Sequence, residues 1–296
     1  MPNMIVRSEP GILVSIVSWN HGGCNFTCDS AFDIACTPKP HLLLVASAEC
    51  GGVLPDITAN SDAFTNWWQY LTKRLDKVFV HVATRRRQGL VISVWLAIAS
   101  GKIEKCSLID STHSDLSWDR SGRKGCLQVT IEYRGSIITF VAVHFDAFKF
   151  ETRVRQLRKV IHKSMNSTVK PQIVFIVGDM NFRVDLKDHD VLLATRLGAV
   201  HSLVGGDQLT KLLLSKYDWL DQWKEATRPS FLPTYKMRKD DSGYDYQSQR
   251  LPAYTDRILV WSEAGSVLRT LEYSKDYNTH GSDHCPIFGR FVIQCR

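Results

Sequence analysis

The 296-residue chain lacks several features that would assign its class at once. No apolar run reaches the ~18–20 residues that a membrane-spanning helix needs. The early run "GILVSIVSW" is too short for a signal peptide, has no small-residue cleavage site and alternates like a strand. Internal repeats, low-complexity tracts and Pro/Gly/Ser linkers are missing, so residues 1–296 are expected to form one domain. The eight cysteines form no disulfide-like framework. In a chain of this length that points to reduced thiols in a cytoplasmic protein. His21, Cys24, Cys28, Cys36 and His41 could in principle hold zinc, but the Cys-x3-Cys spacing is loose and no Cys-x-x-Cys pair completes it. A prenylation ending is also missing, so attachment to membranes would be peripheral, through the surface or a partner. A monomer is expected.

At 44% hydrophobic and 23% charged residues, the composition is that of an ordinary globular protein. The net charge is +7 and the isoelectric point about 9.0. Basic residues gather at Arg85–Arg87, at Arg120, Arg123 and Lys124, along Arg153 to Lys163, and at Lys236, Arg238 and Lys239. This suits a polyanionic partner such as nucleic acid, an anionic membrane surface or a phosphorylated small molecule. Surface cations that merely aid solubility would give the same numbers.

Strand-like runs recur: "ILVSIVSW", "HLLLVASAE", "KVFVHVAT", "LVISVWLAI", "CLQVTIEY", "SIITFVAVHF", "IVFIVGD", "DRILVWS" and "GRFVIQC". Arg134–Gly135 between two alternating runs predicts a hairpin. Helices are expected over 62–77 with Ser61 as cap, over 151–165, and through "DQLTKLLLSKYDWLDQW", the last in one or two pieces. In the second, Val154, Leu157, Ile161 and Met165 fall on one face. Many strands with few helices predict an α/β protein of two packed, mostly antiparallel sheets flanked by helices.

Several runs end in residues that an apolar core would not choose: Asn20, Glu49, His144, then Asp179 and Asn181 in "IVFIVGDMN". "DRILVW" begins with Asp256 and Arg257, and Asp283 and His284 precede the last strand. Each alone has an ordinary explanation as a turn residue, a solvated strand end or a structural histidine. Together they supply hard oxygen donors suited to magnesium and groups that handle protons. With the basic clusters to attract phosphate, they make a kit for metal-assisted phosphate ester hydrolysis.

The motifs "SWN", "AE", "RKG", "VHFDA", "GDMNFR", "PTYK", "RLPAYTDRIL" and "SDHCP" resemble, in this order, those of the inositol polyphosphate 5-phosphatases. The resemblance runs from about Ser15 to Ile293. "PTYK" with "LPAYTDRIL" is its most specific part; "GDMN" and "SDH" fit related nucleases as well. It implies a four-layer α/β sandwich of the deoxyribonuclease-I-like superfamily. It implies Glu49 as the main Mg2+ ligand, helped by Asn20 and Asp283. Asp179 and Asn181 would orient the attacking water, Asp256 would hold His284, and His144 and His284 would contact the phosphate being cut. Tyr235, Lys236, Arg250 and Lys124, with Arg257, would bind the rest of a phosphoinositide or soluble inositol polyphosphate. Nucleic acid is not expected as substrate, although a nuclease of the superfamily and an inactive phosphoinositide-binding module are the alternatives.

The chain departs from the family pattern at Ala48, Arg123, Ala142 and Phe148, and at Gln247, Ser248 and Gln249, where lysines are usual. None of these positions belongs to the chemistry set, so the departures bear on substrate preference. Phe145, Phe148 and Phe150, with Leu116 and Trp118, could touch lipid at a membrane or could simply pack the core.

Overall fold

The structure, a computed structural model, describes residues 11–23, 28–50, 57–99, 102–110, 116–118, 123–167, 169–215, 217–240 and 243–294, with backbone alone at 57–63, 110, 116 and 117. In chain order the elements are β1 (Ile12–Asn20), α1 (Asp29–Ala35), β2 (Leu42–Ala48), α2 (Ile57–Leu75), β3 (Phe79–Arg87), β4 (Leu90–Ala97), β5 (Cys106–Asp110), β6 (Leu116–Ser117) and β7 (Gly125–Tyr133). They continue with β8 (Ser136–His144), α3 (Phe150–Met165), β9 (Ile173–Asp179), α4 (Asp188–Arg196), α5 (Val200–Gly206), α6 (Gln208–Leu214), a 3-10 turn (Asp218–Leu220), β10 (Lys224–Glu225), β11 (Asp256–Ser262), β12 (Val267–Lys275) and β13 (Ile287–Gln294).

Two sheets result. One has the order β12-β13-β1-β2-β4-β3, the other β10-β11-β9-β8-β7-β5, with β6 beside β7. Neighbours are antiparallel except for one parallel pair at the centre of each sheet, β1 with β2 and β8 with β9. The sheets pack face to face through residues such as Ile16, Leu44 and Ile92 against Leu127, Phe140 and Phe175. The outer face of the first sheet buries Val17 and Leu43 under Phe32 of α1 and Trp67 and Leu71 of α2. That of the second buries Val141 and Ile176 under Leu157 and Ile161 of α3 and Leu209 of α6. Central strands are thus covered on both sides, which is why they read as continuous apolar runs. Each such Val, Leu, Ile or Phe contributes about 1.5–3 kcal/mol by burial.

The hairpin forms where expected, with Arg134 and Gly135 both at positive φ, 49° and 71°, the conformation that a two-residue turn between twisted strands requires. Helix α2 begins at Ile57, so Ser61 lies inside it rather than capping it. The "DQLTKLLLSKYDWLDQW" segment divides into α6, capped by Asp207 through Thr210 N, and the 3-10 turn. In α3, Val154 and Met165 pack only at the margin of a core that holds Leu157 and Ile161.

Strand order brings the polar strand ends together. The two parallel pairs end at the same side of the sandwich, and β11 and β13 run antiparallel to them, so their starts lie there too. Register is stricter still: Asp256 pairs with Asp179, Asp179 with His144, and Asn20 with Ala48, next to Glu49. Residues directly opposite on neighbouring strands share a face of the sheet.

Candidate active site

Asp179 is held from three sides. Its Oδ2 accepts from Asn20 Nδ2 at 2.9 Å, its Oδ1 accepts from the Asn181 backbone N–H at 2.9 Å, and His144 Nε2 stands 3.3 Å from Oδ2. Burial would raise its pKa. The hydrogen bond and charge of His144, then the charges of His284 and Lys124, outweigh that and hold it far below the ordinary carboxylate range. Gly178 just before it has φ 134°, and a Cβ there would lie 2.3 Å from the Val143 carbonyl oxygen. Only glycine lets β9 approach β8 this closely at the point where the carboxylate is presented.

Asn181 has φ 56° and Glu49 φ 51°. A left-handed backbone at a non-glycine residue costs of order 1–3 kcal/mol and is often found where function demands it. The Asn181 carboxamide is fixed at both ends: Nδ2 donates to the Phe145 carbonyl at 3.1 Å and Oδ1 accepts from Arg183 Nη2 at 2.6 Å. His144 Nδ1 donates to the Arg123 carbonyl at 3.1 Å. That turns Nε2 toward the acids, 3.5 Å from Glu49 Oε1 and in contact with Lys124 Nζ.

His284 is the other pole of the site. Its Nδ1 donates to Asp256 Oδ2 at 2.8 Å, and the same oxygen accepts from Thr234 Oγ1 at 2.7 Å and Thr255 Oγ1 at 2.8 Å. Burial works against a charged imidazole, but Asp256, then Asp179 and Asp283, push its pKa up to about 9. The loop before β13 is tied to β1: Ser282 Oγ donates to the Asn20 carbonyl, the His284 N–H donates to Ser282 Oγ, and Trp19 Nε1 donates to the His284 carbonyl. Asp283 forms an ion pair with Lys236 at 2.7 Å. Burial would raise the Asp283 pKa, but His284 and Lys236 lower it; burial would lower that of Lys236, but Asp283 raises it.

A cleft of about 460 Å³ opens over this assembly, lined by Glu49, Lys124, Asp179, Asn181, Tyr235, Lys236, Arg250, Asp283 and His284. Nine of the thirteen expected site residues therefore face one cavity. Asn20, His144 and Asp256 stand behind it as supports of Asp179 and His284. Arg257 is the correction. It is fully buried, bonded to Glu225 at 2.6 and 2.5 Å and to Asp207 at 2.7 Å, and cannot reach a substrate. The side chain after Asp256 on a strand must point to the opposite face. Among the phenylalanines, Phe145 is buried in the core, and Phe150 is half-buried against the α3 core. Phe148 is 78% exposed, with the Arg250 guanidinium 5.3 Å from its ring centre. The Trp118 ring lies tilted against that of Phe145 at 5.4 Å, and the side chain of Leu116 lies outside the described residues.

The zinc cluster does not assemble from what is described: Cys28 is buried in the apolar core under α1, His41 Nδ1 accepts from Leu13 N, and Cys24 lies outside the described residues. Among the described residues no three His, Cys, Asp or Glu side chains gather as a metal-holding group. This is compatible with Mg2+, which is commonly held by one or two carboxylates plus water and substrate phosphates. Glu49, at the cleft, and Asn20, whose Oδ1 keeps one acceptor site beyond its bond from Gly22 N, fit such an ion.

The departing loop bears directly on the cleft, because Ser248, Gln249 and Arg250 all line it. Thr234, Thr255, Ser282, Trp19 and Arg183 had not been singled out from sequence. All sit inside the quoted motifs "SWN", "GDMNFR", "PTYK", "RLPAYTDRIL" and "SDHCP", yet a hydroxyl serving a carboxylate from another strand leaves no mark of its own in a sequence.

The chain is 26% identical to phosphatidylinositol 4,5-bisphosphate 5-phosphatase A of Rattus norvegicus over 326 aligned positions, which cover 97% of this chain and 31% of the relative. The chain thus spans about a third of the length of that relative. Among solved structures it is similar to the inositol polyphosphate 5-phosphatase domain of a synaptojanin in complex with inositol (1,4)-bisphosphate and calcium ion, with a TM-score of 0.73, 20% identity and coverage of 96% of this chain and 86% of that one. It is as similar to a Cimex nitrophorin in its ferrous NO complex, with a TM-score of 0.77, 18% identity and coverage of 96% and 99%. Two such different partners on one scaffold mean that the fold does not carry the function. The pattern of the endonuclease/exonuclease/phosphatase family 2 matches residues 17–290, and the chain belongs to that family.

Proposed function

We propose that the chain is a Mg2+-dependent phosphatase that removes the 5-phosphate from a phosphoinositide or a soluble inositol polyphosphate. The observation that carries this reading is the shared cleft. The pair Asp179–Asn181 and the cationic His284 line the same cavity as Tyr235, Lys236 and Arg250, so groups for cutting a phosphate adjoin groups for holding a phosphorylated ring. The naming of relatives as 5-phosphatases agrees with it.

In this account Glu49 and Asn20 hold Mg2+, which offsets negative charge on the phosphoryl oxygens when bound. Asp179 and Asn181 hold a water in line with the leaving oxygen. An Asp179 carboxylate so far below the usual range is a weak base but a firm orienting acceptor. A loose phosphoryl-transfer transition state asks for little proton transfer at the moment of attack. The water oxygen bonds to phosphorus as the bond from phosphorus to the ring oxygen breaks. His284, charged and braced by Asp256, stabilises the phosphoryl oxygens, and Lys124, in contact with His144 behind it, adds a second positive charge. Lys236, Arg250 and Tyr235 position the ring. Phe148, exposed beside the cleft-lining Arg250, would rest on an anionic membrane surface during transient contact.

The test is phosphate release from a panel of inositol lipids and soluble inositol phosphates with EDTA or Mg2+. Release from 5-phosphorylated compounds alone, abolished by EDTA and restored by Mg2+, is expected. Cleavage of DNA or RNA instead, or binding of a phosphoinositide without turnover, would refute the reading.

A further inference from the structure

Arg183 reaches the site from behind. It does not line the cleft, but its guanidinium touches two residues that do, Asn181 and Tyr235. Its Nη2 donates to Asn181 Oδ1 at 2.6 Å, and its Cζ stands over the Tyr235 ring, 4.9 Å from the centre. The Tyr235 ring in turn lies 4.7 Å from that of His284. The Arg183 backbone is anchored separately, its N–H donating to Gln208 Oε1 at 3.0 Å. Among the described residues no carboxylate forms an ion pair with Arg183. Its charge is directed at an amide and an aromatic face. The ring quadrupole attracts a guanidinium to that face, so Tyr235 keeps Arg183 aimed at Asn181.

The two neighbours of the Asn181 carboxamide leave it one orientation. A guanidinium can only donate and a backbone carbonyl can only accept. Oδ1 must therefore face Arg183, and Nδ2 must face the Phe145 carbonyl, 3.1 Å away. Were the amide reversed, N–H would meet N–H at one end and oxygen would meet oxygen at the other. One N–H of Nδ2 and one lone pair of Oδ1 are left over. These two are not equal. A cationic donor at Oδ1 draws electron density through the amide, which weakens the remaining lone pair and strengthens the remaining N–H.

We propose that Arg183 is a positioning residue: it locks the Asn181 amide so that Asn181 meets the attacking water as an N–H donor, with Asp179 as the acceptor. This role presupposes that the chain is the phosphatase proposed above. A water has two hydrogens and two lone pairs. One hydrogen goes to the Asp179 carboxylate and one lone pair takes the Asn181 N–H. The second lone pair is then left for phosphorus. A donor beside an acceptor thus fixes which lone pair attacks.

Steady-state turnover of a 5-phosphorylated inositol tests this in wild type, Arg183→Met, Arg183→Lys, Asn181→Ala, Asn181→Asp and the Arg183→Met/Asn181→Ala double variant. Arg183→Met should lower kcat about tenfold to a hundredfold, the range of a hydrogen bond to a charged group, with KM little changed. Arg183→Lys keeps a cationic donor and should recover part of that loss. In the Asn181→Ala background, Arg183→Met should have little further effect on kcat. An equal loss in both backgrounds, or none in either, would overturn the proposal. Asn181→Asp keeps the shape but exchanges the N–H for a second acceptor, so its kcat should fall to the level of Asn181→Ala. Near-normal kcat in Asn181→Asp would overturn the donor assignment, even if Arg183→Met failed to fold. Absence of turnover in wild type would instead refute the phosphatase reading, and this role with it.

Discussion

Asp256 and Arg257 are consecutive residues on one strand, and each sits in a buried charge cluster, but the clusters do opposite work. Arg257 points away from the cleft and is enclosed by Glu225, Asp207 and the Tyr254 carbonyl. Tyr273 and Thr210 bond the same carboxylates. Every polar contact of that guanidinium ends on protein. Asp256 points the other way, and its three donors include His284, which lines the cleft. The structural ion cluster is closed, whereas the one at the candidate active site has an outlet. The period-two alternation of a strand allows one dipeptide to serve both.

The comparison can be broken by mutation. The largest expected effects are in turnover: Asp179→Ala and His284→Ala should each lower kcat by at least a thousandfold, about 4 kcal/mol in barrier height. Both variants should stay folded, with His284→Ala unfolding at a lower urea concentration because it loses the charge that His284 contributes to stability. Arg257→Met should do the reverse. It leaves two carboxylates buried without their cation and should cost about 3–5 kcal/mol of stability, read from urea unfolding. The fraction that remains folded should keep near-normal turnover; a specific loss of kcat would return Arg257 to the substrate.

A smaller effect follows from pH. The folded pKa of His284, about 9, lies above its ordinary value of 6.5. Its charge therefore stabilises the fold fully below pH 6.5, and that contribution is lost as pH rises through 9. Unfolding in EDTA should show stability falling between these values, and Asp256→Asn should flatten the fall. Thr234→Val removes one of the donors to Asp256 and should lower kcat several-fold with KM little changed, in keeping with roughly 1 kcal/mol for a buried hydrogen bond. The smallest effect is at the rim: Phe148→Ser should reduce hydrolysis in lipid vesicles a few-fold and leave a soluble inositol phosphate unaffected. Equal loss on both would remove Phe148 from membrane contact.

Much of this was legible in the sequence, for physical reasons. The nine strand-like runs all became strands because apolar alternation and burial on both faces leave a strong local signal. The half-exposed edge strand β12, with its mixed "VLRTLEYSK", left none, since its pairing depends on β13 rather than on its own pattern. Short helices such as α4 and α5 were missed because packing against other elements, not propensity, stabilises them. The site was legible as chemistry at strand ends. Arg257 misled because a motif names residues without saying which face each side chain takes. Phe145 misled likewise, as a residue one step past a strand end that turns back into the core.

The central claim is that Asp179 and Asn181 aim a water at a phosphate braced by His284, with no covalent step through the protein. Hydrolysis of a 5-phosphorylated inositol in H2(18)O with Mg2+ tests it directly. The account predicts one 18O in the released phosphate, none on the inositol ring, and no phosphate left on the protein after acid quench. Label on the ring, or a phosphorylated protein trapped during turnover, would contradict it.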